Sequence, residues 1–313
     1  MTSTRPSERA TIAVIGLGSI GSAMAGLLAS LDRYDIIACV RRPIERLAIE
    51  HPEGTIDVPI HTLTDPSEAK PVDWVLLATK TQDTEAAAPW LKRLCGPRTR
   101  IATLQNGIGH AERLAPVAGE ALIVPTIVYY NGERLAPDRA RFRRAGPHDL
   151  AVSDDEGGRA FETLLDGTGL RILVSPDFKT LVWRKLLLNA MANPITALTM
   201  QRQAVFRRED VKALCLDILR EAAAVARADG AQFPDDEPER LLATLLTYPS
   251  DAGTSMYFDR INGRPLEIEA LTGAVVMAGE RHGVATPINR VLLTLGRAVS
   301  DAPARITMTA AET

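Results

Sequence analysis

Thr11-Ile12-Ala13-Val14-Ile15-Gly16-Leu17-Gly18-Ser19-Ile20-Gly21 is an apolar run that flows directly into G-x-G-x-x-G. Residues 12–15 have the β-branched, apolar character of a buried parallel strand, and 22–31 are the small and apolar residues of a closely packed helix. A second strand-like run over residues 35–40 follows and delivers Arg41 and Arg42 at its carboxyl end. Strand, glycine turn, helix and strand in that order form the context that gives the glycine pattern its meaning. Gly16 permits the tight turn, Gly18 lets backbone amides approach a pyrophosphate, and Gly21 lets helix and strand pack closely. With Leu17, Ser19 and Ile20 they make a candidate dinucleotide-binding turn at a helix N-terminus. About 20 residues beyond the last glycine, an NAD site would carry an acid for the ribose hydroxyls. Arg41 offers a planar, permanently charged fork suited to a 2′-phosphate, so the expected cofactor is NADP(H).

Outward from this stretch, the first half alternates strand-like runs (73–79, 99–104, 121–130 and 171–174) with helical ones. A short helix is expected over 43–49, further helices over 83–94 and 110–114, and a hairpin around Gly146-Pro147. From about residue 175 the pattern becomes helical throughout, with segments expected over 177–191, 210–229, 238–247, 265–282 and 289–300. Pro194 is expected to kink or end the first of these, and residues 307–313 to form a frayed tail. The fold class is therefore α/β: an N-terminal Rossmann-type parallel-sheet domain (1–175) followed by an all-helical substrate and catalytic domain (176–313).

Composition narrows the function. The 313 residues carry 36 Lys and Arg against 39 Asp and Glu, a net charge of −3, and aromatics make up only 4%. Neither charge nor stacking surface points to nucleic acid. The three cysteines lie far apart, and the five histidines show no ligand spacing, so no metal site is expected. Residues 1–10 lack the apolar core of a secretory signal. Residues 11–31 could span a membrane by length, but glycines in phosphate-loop register argue against it. No membrane association and a cytoplasmic location are expected.

Ligands of an open α/β sheet bind beyond the carboxyl ends of its strands, where Arg41, Lys80 and Asn106 fall. Lys80 reads equally as a surface lysine, and Asn106-Gly107 as a turn pair. In the helical half, Lys185, Asn189 and Asn193 recur every four residues in an apolar helix, aligned on one face. Buried amides need partners, and a substrate or cofactor can supply them. Ser255 could cap a helix or donate to a substrate, and Glu267 and Glu269 open the helix expected from residue 265.

Together these residues resemble the ketopantoate reductase family, the 2-dehydropantoate 2-reductases. The resemblance rests on Leu77-Ala78-Thr79-Lys80, Leu104-Gln105-Asn106-Gly107-Ile108-Gly109, the Lys185/Asn189/Asn193-Pro194 ladder, and the spacing from Ser255 to Glu267-Ile268-Glu269-Ala270-Leu271-Thr272-Gly273. It implies NADPH-dependent reduction of ketopantoate, or a similar branched 2-oxo acid, on the route to pantothenate. It further implies Lys185 as general acid with Glu267 as its catalytic partner. Asn106, Asn189, Asn193 and Ser255 would contact substrate or cofactor. Lys80 and Asn106 would lie near the cofactor, and Arg41 would read the 2′-phosphate. The partner is then a small 2-oxo acid, and a homodimer is compatible with it. Residues 124–133 and 141–148 depart from the family's glycine-rich hairpin, which leaves the identity of the acid open. Two rival readings stand beside this one: a β-hydroxyacid dehydrogenase acting on a 3-hydroxy acid, and a non-catalytic NADPH-binding regulator.

Overall fold

The computed structural model describes residues 9–301, so the tail expected over 307–313 lies outside the described residues. The chain divides into two compact units, one ending at Phe178 and the other beginning at Lys179.

The first unit is built on β1 (Ala10–Ile15), α1 (Ser19–Ala29), β2 (Tyr34–Cys39), β3 (Arg46–His51), β4 (Gly54–Pro59), β5 (His61–Leu63) and β6 (Trp74–Leu77). It continues through α2 (Thr84–Leu94), β7 (Arg100–Thr103), α3 (His110–Ala118), β8 (Leu122–Val128), β9 (Asn131–Ala136) and β10 (Arg139–Arg143). β11 (Leu150–Ser153), α4 (Glu156–Leu164) and β12 (Ile172–Ser175) complete it. An eight-stranded sheet runs β12-β11-β8-β7-β6-β1-β2-β5. Its strands from β8 to β5 are mutually parallel, while β11 runs antiparallel to β8 and parallel to β12. Strands β1 and β6 are buried along nearly their whole length, as their unbroken apolar runs require.

Two local expectations give way to tertiary pairing. Residues 46–51 form a strand, not a helix, because Leu47 and Ile49 alternate inward while the backbone pairs with β4 and β10. No hairpin forms around Gly146-Pro147: β10 joins a second sheet, β4-β3-β10-β9, whereas β11 joins the first. The hairpin in this region is β9–β10.

Helix α1 packs between the two sheets. Residues 21–28 of this helix are all buried. A Cβ on Gly21 would collide with the Gly16 carbonyl and come within 2.9 Å of the Ala78 Cβ on the main-sheet side. A Cβ on Gly26 would run into Ile49 of β3 on the other side. Small residues on both flanks are what lets one helix serve two sheets.

The second unit consists of α5 (Phe178–Thr199), α6 (Glu209–Ala228), α7 (Glu237–Leu246), α8 (Ser255–Ile261), a π turn (Glu269–Gly273), α9 (Ala274–His282) and α10 (Pro287–Asp301). Among the described residues, no strand follows Ser175. Helix α5 does not end at Pro194. The ring removes the N–H that would serve the Ala190 carbonyl, and the Thr272 hydroxyl donates to that oxygen instead (3.5 Å). Among the described residues, no helix is long and apolar enough to cross a membrane.

Replacing Gly26 with alanine separates propensity from packing. Alanine favours an isolated helix by about 1 kcal/mol, yet here it overfills the gap to Ile49. Gly26→Ala should lower stability by about 1–3 kcal/mol, measured as an earlier urea midpoint.

Candidate active site

In the first unit, three strand ends form an interlocked set of loops. Gly16 has φ +95°, a left-handed conformation that glycine alone adopts without strain. Its missing Cβ leaves room for Thr79, whose Cγ2 would otherwise lie 2.9 Å away. From the end of β7, the buried Gln105 donates through Nε2 toward the Thr79 hydroxyl (3.1 Å) and the carbonyls of Thr79 and Lys80 (3.2 and 3.3 Å). The Thr81 hydroxyl returns a bond to the Asn106 carbonyl (3.0 Å). Lys80 and Asn106, both half-buried, are thereby held by one network. Gln105 and Thr81 are framework residues that sequence reasoning missed; their signal was the polar pair after each strand.

The glycine turn fits a dinucleotide phosphate. A Cβ on Gly18 would meet nothing within 4 Å, so the turn is open on that side. Gly18 caps α1 with no side-chain hydrogen bond, and no acid stands in the first turn. The amides at this helix start are thus available to an anion, without a competing carboxylate. Arg41 and Arg42 are exposed just past β2, and among the described residues neither enters an ion pair.

In the second unit, α5 is fixed in rotation by its neighbours. Trp183 Nε1 donates to Asp229 (2.8 Å), and Arg184 pairs with the buried Glu237. That anchoring commits Lys185, Asn189 and Asn193 to another face. Asn193 is buried, and its Oδ1 accepts from the Ser255 hydroxyl and the Met256 amide, both at 3.2 Å. Ser255 is not the cap of α8: Thr254 takes that role, its Oγ1 accepting from the Tyr257 amide (3.1 Å). The exposed Ser255 hydroxyl is thus tied to Asn193, and the two predicted site residues share a bond. Asn189 is half-buried, and its side chain makes no hydrogen bond among the described residues.

Glu267 is buried and clamped from both sides in sequence. The Leu266 amide donates to Ser300 Oγ on α10 (3.0 Å), and Ile268 lies where a Cβ on Gly296 would be. The π turn follows immediately, so the helix expected from residue 265 begins later; such turns recur at functional sites. Glu269, by contrast, points to Arg297 in an exposed ion pair (2.8 Å at its second contact). Burial pushes the Lys185 ammonium from its ordinary 10.5 down to about 8, and the Glu267 charge opposes that fall. Such a lysine is charged at neutral pH yet releases a proton readily. Among the described residues no group of His, Cys, Asp or Glu could hold a metal ion.

Two family models match this chain: ketopantoate reductase PanE/ApbA over residues 12–155, and ketopantoate reductase PanE/ApbA C terminal over 177–300. The 2-dehydropantoate 2-reductase of Caulobacter vibrioides is 39% identical, with 91% of this chain and 97% of that one aligned. That of Mycobacterium tuberculosis is 40% identical over 93% and 98%. A dimeric ketopantoate reductase from Staphylococcus aureus superposes with a TM-score of 0.82 at 26% identity, covering 94% of this chain and all of the other.

The Lys185 titration should respond to the charge of Glu267 as well as to burial. Replacing Glu267 with glutamine removes the charge that raises the lysine pKa, so the midpoint should move below 8. Lysine side-chain NMR across about pH 5–10, below the free-amine transition at about 10.4, would read it.

Proposed function

The chain belongs to the ketopantoate reductase PanE/ApbA family, and on that premise we propose that it reduces ketopantoate, or a closely similar branched 2-oxo acid, with NADPH. The observation that carries this reading is Lys185: an ammonium lowered to about 8 by burial, with Glu267 supporting its charge. It stands on one helical face with Asn189 and Asn193. Bound NADPH supplies the hydride. Residues 1–175 hold the dinucleotide, and residues 176–313 bind the acid and provide the proton.

Each residue has a role that its chemistry suits. The turn from Gly16 through Leu17, Gly18, Ser19 and Ile20 to Gly21 holds the pyrophosphate by backbone amides. Arg41 pairs with the 2′-phosphate. Lys80 and Asn106 serve the nicotinamide end. Asn106, Asn189, Asn193 and Ser255 bind and orient the acid. As the carbonyl carbon gains hydride, negative charge grows on its oxygen. The Lys185 ammonium stabilises that charge and then passes its proton from Nζ to the oxygen, giving the 2-hydroxy acid and a neutral lysine that regains a proton from water. Glu267 keeps Lys185 protonated long enough to act. A cytoplasmic location and a homodimer belong to the same reading. The first is supported by three unpaired cysteines, the second by the dimeric Staphylococcus aureus relative.

Two substitutions test the assignments, alongside a panel of 2-oxo acids assayed with NADPH and NADH. Lys185→Ala should lower turnover on the order of 10²–10⁴-fold while NADPH still binds; near-normal turnover would sink the general-acid role. Arg41→Asp should weaken NADPH by about 10- to 100-fold and leave NADH nearly unaffected. An unchanged preference would remove Arg41 from the site.

A further inference from the structure

The second sheet touches the dinucleotide turn. Strand β9 runs so close to the start of α1 that a Cβ on Gly132 would lie 2.7 Å from the Ser19 Cβ and 2.9 Å from its carbonyl carbon. One residue before that strand, the buried Tyr130 donates its phenol hydrogen to the Ile20 carbonyl (3.0 Å). That oxygen belongs to the first turn of α1, where helical geometry already directs the Met24 amide toward it. Tyr130 is itself fixed. Its ring packs on Phe142 of β10 at 4.9 Å between centroids, and its amide shares the Asp149 carbonyl with that of Tyr129. Asp149 is fully buried and accepts from both Arg144 (2.7 Å) and Arg171 (3.0 Å). A chain of rigid contacts therefore runs from a buried ion-paired carboxylate, through Tyr130, to the helix turn that carries the phosphate-facing amides.

We infer that Tyr130 and Gly132 are positioning residues for dinucleotide binding, the second sheet acting as a backstop that holds Ser19 and Ile20 in register with the phosphates. Glycine loops at helix starts have few side chains to fix them, so their order must come from what lies behind. Here α1 receives support from the main sheet at Gly21 and from β9 at Ser19. Loosening the backstop raises the cost of ordering the turn around its ligand, which appears as weaker binding and not as slower chemistry. The inference rests on the dinucleotide reading of the Gly16–Gly21 turn.

Tyr130→Phe keeps the ring and deletes one hydrogen bond, and Gly132→Ala pushes a methyl group onto Ser19. NADPH affinity is read by fluorescence titration, and backbone order by hydrogen exchange of residues 16–26 in the dinucleotide-free protein. Tyr130→Phe should weaken NADPH about 2- to 12-fold and speed exchange in that segment. Gly132→Ala should weaken it by about fivefold or more. Turnover at saturating NADPH and the KM for the keto acid should stay within twofold (about experimental scatter). Leu135→Ala, on the exposed part of the same hairpin, should change none of these readouts. Unaltered affinity and exchange in both variants would overturn the inference, as would an equal loss in the Leu135 variant. If the unsubstituted protein itself fails to bind NADPH, the dinucleotide reading falls and takes this inference with it.

Discussion

One of the two cores of the first unit is arranged around the insertion of α1 between two sheets. A helix buried on both flanks cannot carry large side chains where sheets approach, and Gly21 and Gly26 meet that limit on opposite sides. The consequence is electrostatic as well as steric. With no side chain capping its start and no acid in its first turn, the partial positive charge of α1 faces the open side of Gly18 undiminished. Packing has thus selected small residues at the same place where anion binding needs bare amides.

The second unit solves a different problem, that of keeping a charged lysine in an apolar helix. Isolated burial would neutralise it, since desolvation disfavours the ammonium. Glu267 counters this, and the backbone on either side of that acid is pinned to α10 through Ser300 and Gly296. Asn193 does related work: its side-chain Oδ1 accepts from Ser255 and Met256, which ties α5 to the start of α8. The Asn189 side chain has no such partner among the described residues.

Much of this was legible in the chain because local and tertiary signals agree there. The parallel core strands are unbroken apolar runs, and the glycine turn, Arg41, Lys80 and Asn106 all fall at strand ends. The ladder on α5 follows from helical spacing alone. Legibility failed where long-range pairing decides. Residues 43–49 look helical in isolation, and 46–51 become a strand only because β4 and β10 offer backbone partners. Residues 139–143 pair with β3, some 90 positions earlier in the chain (about 90 by their aligned register). The polar pair after β7 marked Gln105 as a candidate, but its partners, the Thr79 and Thr84 hydroxyls and the Thr79 and Lys80 carbonyls, lie on another strand end that no local pattern places beside it. That the helix runs past Pro194 was hidden for the same reason, since the group that takes up the freed carbonyl is a distant threonine.

That distant bond also has a time coordinate. The carbonyl of Ala190 is served by a hydroxyl 82 residues downstream. During synthesis at on the order of 5–20 residues per second, Ala190 therefore emerges several seconds before Thr272. Until then only water can satisfy the oxygen that Pro194 leaves behind. The lysine-bearing helix is therefore made early and its proline turn completed late, so a chain truncated before the π turn would keep every residue of the ladder but leave the Ala190 carbonyl to solvent.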